Sequence, residues 1–210
     1  MPKVKICGIT NAQDALWAAN LGADFIGLNF YSQSPRKVSV KHAKELVGQL
    51  PPFVTAVGIF VDEPFESLAK IVRSVPLKMV QLHGTETVEY CQQVKALGVK
   101  VTKALRLQKP LEASDLTPYE NEVDYFMFDT YSADSAGGTG EVFNWEWLGP
   151  TTGLVKPWFL AGGLNPSNIL EAIKKSHPPL VDVSSGVEKS PTRKDYEAMK
   201  SFIQAAKSIR

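Results

Sequence analysis

The sequence is poor in cysteine and histidine and has no long apolar run. Its 210 residues include two cysteines, Cys7 and Cys91, and three histidines, His42, His83 and His177. Scattered this widely, they form no structural zinc spacing, and two cysteines make no disulfide scaffold at this length. The longest nearly apolar stretch, Phe53 to Val61, is interrupted by Thr55 and Gly58, whereas a membrane-spanning helix needs about 20 apolar residues. Met1-Pro2-Lys3-Val4-Lys5 leads straight into a strand-like segment. No charged start followed by an apolar leader is visible, so the expected compartment is the cytoplasm. An excess of one charge is missing as well, since 23 Lys plus Arg face 22 Asp plus Glu. That balance argues against nucleic acid or a membrane as partner. It leaves room for a small anion held by a few local groups. Hydrophobic residues are 44% and charged residues 21% of the chain, which excludes disorder and supplies one sizeable core.

What is present is a rhythm. Short runs rich in Val, Ile, Phe and Leu recur at Val4–Gly8, Phe25–Asn29, Val54–Phe60, Met79–His83, Val99–Leu105, Tyr125–Asp129, Trp158–Gly162 and Leu180–Ser184. They read as strands. Helical patterns lie between them at Asn11–Leu21, Val40–Leu50, Pro64–Ser74, Thr87–Leu97, Pro166–Lys175 and Lys194–Ile209, with Pro64 and Pro166 placed in first helical turns. Leu111–Asn121 and Val142–Gly149 read as short helices or turns. Eight alternating units predict parallel βα pairs closed into a (β/α)₈ TIM barrel. No linker divides residues 1–210, so one domain is expected.

Side chains alternate sides along a strand. One parity is apolar or tiny, as packing on outer helices requires. The other carries Lys5, Cys7, Asn29, Gln81, His83, Lys103, Asp129, Asp182 and Ser184 and is expected to face the barrel axis. Buried charges need partners, so Asp182 should neutralise Lys5 or Lys103. Active sites of this fold lie at the carboxyl ends of the strands. Cys7 and Asp129 stand there, on strands one and six, as a candidate base and acid. Gly162, Gly163, Ser184, Ser185 and Gly186 follow strands seven and eight, the usual phosphate cradle of the fold. Gly137-Gly138-Thr139-Gly140 is a candidate lid after strand six. Cys91 reads as structural, and Trp145, Trp147 and Trp158 as packing between helices and barrel.

Several segments, taken in order, resemble one family. They are Lys5-Ile6-Cys7-Gly8-Ile9-Thr10, Ser34-Pro35-Arg36, Gln81-Leu82-His83-Gly84, Phe128-Asp129-Thr130, Gly137 to Gly140, Ala161 to Pro166 and Asp182 to Glu188. The family is phosphoribosylanthranilate isomerase of tryptophan biosynthesis. The resemblance implies an Amadori rearrangement of N-(5-phosphoribosyl)anthranilate to 1-(2-carboxyphenylamino)-1-deoxyribulose 5-phosphate. It implies Cys7 as general base, Asp129 as general acid protonated when substrate binds, and Arg36 on the anthranilate carboxylate. Gln81, His83, Gly140 and the loops after strands seven and eight would line the substrate site. The substrate nitrogen acts as electron sink, so no cofactor and no metal is expected. The chain is expected to work as a monomer or homodimer. Thr192 stands where the family usually has glycine. Rival readings are another phosphosugar isomerase or epimerase of the same fold, where a metal-dependent epimerase is disfavoured because only His83 ends a strand and a ring opener using two aspartates would not need Cys7, and a non-catalytic phosphosugar binder, disfavoured by the Cys7 and Asp129 pair.

Overall fold

The structure is a computed structural model that describes residues 1–130 and 144–209. Eight parallel strands form a closed barrel: β1 (Lys3–Ile6), β2 (Phe25–Asn29), β3 (Thr55–Phe60), β4 (Met79–Leu82), β5 (Lys100–Leu107), β6 (Tyr125–Thr130), β7 (Trp158–Leu160) and β8 (Leu180–Val183). The barrel shuts where β1 pairs with β8, with Lys5 beside Asp182. Helices α1 (Ala12–Asn20), α2 (Val40–Gly48), α3 (Phe65–Ser74), α4 (Val88–Lys95), α5 (Ala113–Leu116), α6 (Ile169–Ser176) and α7 (Tyr196–Ser208) lie on the connections. A 3-10 helix at Trp145–Thr151 precedes β7, and a two-stranded ribbon, β9 (Glu188–Ser190) with β10 (Arg193–Lys194), follows β8. Among the described residues no helix is long and apolar enough to cross a membrane.

Local chemistry sets the helix starts. Asn11, Ser39, Thr87 and Asp195 stand before α1, α2, α4 and α7, and each accepts a hydrogen bond from a backbone N–H of the first turn. Such caps are worth about 1 kcal/mol each. Pro64 caps α3 from outside, with φ −54° and ψ 134°, rather than sitting within its first turn. Pro166 is likewise excluded from α6, which starts at Ile169. Here Asn165 and Asn168 bind each other's loop instead, with Asn165 N–H donating to Asn168 Oδ1 at 2.8 Å. The last helix begins at Tyr196 and not at Lys194, because Lys194 is drawn into β10.

The alternating strands build two apolar layers. Outward residues such as Val4, Ile6, Leu28, Phe126, Phe128, Val181 and Val183 join the helix side chains in the larger core. Inward residues Phe25, Val57, Met79, Met127, Phe159 and Leu180 fill the barrel floor. Cys91, Trp145 and Trp158 are buried in the larger core. Above the floor sits a charged layer. Lys5 is fully buried and its Nζ lies 2.9 Å from Asp182 Oδ1 and 2.6 Å from Gln81 Oε1.

Lys103 corrects the expectation that it faces the axis. Register pairs it with Leu82 on one side and Phe126 on the other, both outward residues. Thr102, Ala104 and Arg106 form the inward parity of β5. Lys103 is instead neutralised outside the barrel by Glu86, at 2.7 Å. The expected pairing of Asp182 holds through Lys5.

Lys5→Met should cost about 3 kcal/mol or more, because it strands the Asp182 carboxylate in the interior. Urea denaturation measures this as a fall in midpoint, and adding Asp182→Leu should restore most of it. An unchanged midpoint in the single variant would contradict the pairing.

Candidate active site

The carboxyl ends of the strands bring Cys7, His83, Asp129 and Ser184 to one rim. Cys7 follows β1 directly, and its N–H donates to Val183 O of β8 at 2.8 Å. The residue is half-buried. His83 follows β4, with its N–H on Phe60 O at 2.8 Å. Asp129 lies near the end of β6. Its Oδ1 accepts the Thr130 N–H at 2.8 Å, and its Oδ2 lies 3.1 Å from His83 Nε2. His83 Nδ1 in turn lies 2.6 Å from Gln81 Nε2. Gln81 therefore links the rim to Lys5 in the charged layer. Asn29 stays apart from this chain, since its Oδ1 accepts the Tyr31 N–H of the next turn.

The loop after β4 is held from behind. Both carboxylate oxygens of Glu86 accept the Gly84 N–H, and one also accepts the Asp62 N–H. With Lys103 on the same carboxylate, the residue after His83 is pinned. Lys103 thus belongs to the support of the site, not to its interior.

Arg36 comes from the loop after β2 and meets a partner 152 residues away. Its Nε and Nη2 donate to Glu188 Oε1 and Oε2, both at 2.8 Å. Lys194 Nζ donates to Glu188 Oε1 at 2.8 Å and to Ser184 O at 2.9 Å. A bidentate carboxylate holds the guanidinium in one plane and leaves its Nη1 edge for a second anion. Nothing in the sequence around Glu188 and Lys194 signals a role for either. Their sequence distance from Arg36 concealed the cluster. Arg106 was also passed over. The β5 strand runs on to Leu107, and register sets Arg106 beside Asp129 on the inward face.

The glycine loops lie beside the acid. Gly162 has φ +84°, and a Cβ there would run into Thr130 and stand 2.9 Å from Asp129 Oδ1. A Cβ on Gly186 would run into Leu164 O, so the loop after β8 lies against the loop after β7. Gly162 therefore lies next to Asp129, and Gly186 packs the loop after β8 onto the loop after β7. The expected lid, Gly140 included, lies outside the described residues.

Charge distribution sets the thiol. Burial pushes the Cys7 thiol above its ordinary value and Asp182 adds to this, while Lys5, Lys194 and Arg36 pull the other way without prevailing. Burial also opposes the charge of Lys5, but Asp182 and Cys7 outweigh it and hold the ammonium above the usual lysine value. Burial lowers Lys194, despite Glu188. Burial would raise Glu188, yet Arg36 and Lys194 hold it below the usual carboxylate range. Cys91 is pushed up to about 11, chiefly by burial. The site thus combines a thiol that is mostly protonated at neutral pH, a carboxyl group across the mouth, a plane-fixed guanidinium and glycine-rich loops after β7 and β8.

Thr192, in the place of the family glycine, takes the left-handed conformation at φ +70°. Its carbonyl accepts the Thr10 hydroxyl at 2.8 Å. The loop therefore keeps the turn a glycine would make, at a steric cost for a β-branched residue.

A family model described as N-(5'-phosphoribosyl)anthranilate (PRA) isomerase matches residues 4–205. The chain is 44% identical over 211 residues to the N-(5'-phosphoribosyl)anthranilate isomerase of Trichlorobacter lovleyi, covering 99% of this chain and 98% of the relative. It superposes on the crystal structure of phosphoribosyl anthranilate isomerase from Thermotoga maritima with a TM-score of 0.89, at 39% identity and complete coverage of both chains. It is also similar, at a TM-score of 0.86, 38% identity and complete coverage of both chains, to a phosphoribosyl anthranilate isomerase solved with reduced 1-(o-carboxyphenylamino)-1-deoxyribulose 5-phosphate.

Two measurements check this geometry. Alkylation of Cys7 by iodoacetamide should be slow at neutral pH and keep accelerating past the ordinary thiol value, because the thiolate is the nucleophile and burial delays its formation. Full reactivity at neutral pH would contradict the raised thiol. Thr192→Gly should raise stability by about 1 kcal/mol, strain relief outweighing the entropy of the more flexible unfolded chain. A lower urea midpoint in that variant would refute the strain.

Proposed function

The chain belongs to the N-(5'-phosphoribosyl)anthranilate isomerase family and is an isomerase of tryptophan biosynthesis, and we propose that Cys7 and Asp129 divide its proton transfers. The reaction converts N-(5'-phosphoribosyl)anthranilate into 1-(2-carboxyphenylamino)-1-deoxyribulose 5-phosphate. The furanose ring must open, and that requires a proton on its ring oxygen. Asp129 supplies it. Opening leaves an iminium, which acidifies the adjacent C2′–H. Cys7 removes that proton as the thiolate, giving an enolamine that tautomerises to the ketone. The substrate nitrogen accepts the electron pair, so these steps draw on side-chain acid–base chemistry alone.

The observation that carries this assignment is the placement of Cys7 and Asp129 at the carboxyl ends of β1 and β6 on one rim, with Gly162 packed against Asp129. Phosphate in the loops after β7 and β8 puts the ribose beside the acid. Arg36, held flat by Glu188, offers its free edge to the anthranilate carboxylate at the other end of the substrate. Burial keeps the resting thiol protonated, so Cys7 first loses its own proton to solvent, a step that Lys5, Lys194 and Arg36 favour, and the thiolate then takes the C2′ proton. Gln81 and His83 support Asp129 from the barrel side.

Cys7→Ser and Asp129→Asn should each lower kcat by at least about 100-fold while leaving the fold intact. Loss of the anthranilate-type fluorescence of the substrate measures this. Full activity in either variant would remove that residue from its role. Tight substrate binding without turnover by the unaltered protein would favour a binding protein instead.

A further inference from the structure

The interior chain has a forced direction. A lysine ammonium can only donate hydrogen bonds. The Gln81 atom facing Lys5 at 2.6 Å is therefore the amide oxygen. That leaves the Gln81 NH₂ group for His83 Nδ1, 2.6 Å away, and it can only donate. Nδ1 must accept, so the ring hydrogen of a neutral imidazole sits on Nε2. Nε2 is the atom 3.1 Å from Asp129 Oδ2. The other carboxyl oxygen is held by Thr130 N–H at 2.8 Å.

We propose that Lys5, acting through Gln81, fixes His83 as the Nε2–H tautomer, and that His83 in this form is a positioning residue that orients the Asp129 carboxyl group. The inference rests on the reading of Asp129 as the acid. Two N–H groups from different strands flank the carboxyl group: Thr130 N–H in β6 donates to Oδ1, and His83 Nε2 beyond β4 stands 3.1 Å from Oδ2 without yet being aligned as a hydrogen bond, so a small ring rotation completes the pair. A second proton on Nδ1 would confront the Gln81 NH₂ group, so His83 is no proton reservoir. It keeps one N–H throughout, and the proton given to the ring oxygen is carried by Asp129 itself. Glu86 and Lys103 stand behind this arrangement and hold the backbone after His83. The charge of Lys5 also acts on Cys7, pulling it toward the thiolate. One buried ammonium therefore biases the base through its charge and, through two side chains, orders the acid.

Protein carrying ¹⁵N-labelled histidine should show, in two-bond nitrogen–proton correlation spectra near neutral pH, a proton on Nε2 and none on Nδ1 of His83. A proton on Nδ1, or a doubly protonated ring, would overturn the proposal. Gln81→Glu places a pure acceptor against Nδ1 and should move the ring proton there; a spectrum still showing Nε2–H would also overturn it. Turnover provides the second arm. In His83→Gln the amide nitrogen reaches the place of Nε2 and can donate to Asp129, so kcat should stay within about tenfold of the parent. His83→Asn and His83→Ala should lose about 100-fold in kcat with KM nearly unchanged. Equal losses in all three, in variants with unchanged urea midpoints, would refute the donor role. Full activity of Asp129→Asn would sink the acid assignment alone, because the spectrum reports the tautomer without turnover.

Discussion

A buried lysine must be neutralised, and much of the barrel interior follows from how Lys5 meets that demand. Removing an ammonium from water costs several kcal/mol unless counter-charge and acceptors replace the solvent. The β1 to β8 pairing places Asp182 directly beside it, and Gln81 supplies a second acceptor. The same strand closure that completes the barrel thus completes the ion pair. The apolar floor of Phe25, Val57, Met79 and Phe159 excludes water from below and raises the penalty for any mismatch in this layer. Order imposed there reaches the rim, because Gln81 and His83 have no freedom to reverse their hydrogen bonds.

The mouth is assembled from segments distant in sequence. Arg36 after β2, Glu188 after β8 and Lys194 of β10 form one charged cluster. Cys7 after β1 lies within the field of Arg36, Lys194 and Lys5. The resulting thiol is protected by burial and flanked by cations. These opposing influences suit a base that acts only when a substrate's own acidified C–H is presented. Gly162 brings its backbone close to Asp129, where any side chain at position 162 would strike Thr130.

Much of this was legible before folding. Lys5, Cys7, Gln81, His83, Asp129 and Asp182 share a parity that apolar neighbours define by contrast, and the structure keeps them inward. The reading failed at Lys103. Its charge imitates an interior polar position, yet Leu82 and Phe126 beside it show the outward register, and Thr102 and Ala104 occupy the axis side. Ending β5 at Leu105 also left Arg106 out, because a strand's last residues are decided by the neighbour it pairs with. Proline positions were misjudged similarly. Asn165 and Asn168 satisfy each other and delay α6 past Pro166.

The sequence by itself determined the eight-unit alternation, the inward parity of most strands and the residue types able to move protons. These are local properties, written in periods of two and 3.6 residues. The tertiary structure alone decided that Glu188 and Lys194 engage Arg36, that Glu86 neutralises Lys103 outside the barrel, and that Lys5 orients His83 through Gln81. Each depends on strand register and loop return across long stretches of chain. Hydrogen-bond direction and charge compensation act over about 3 Å, a distance that sequence spacing does not encode.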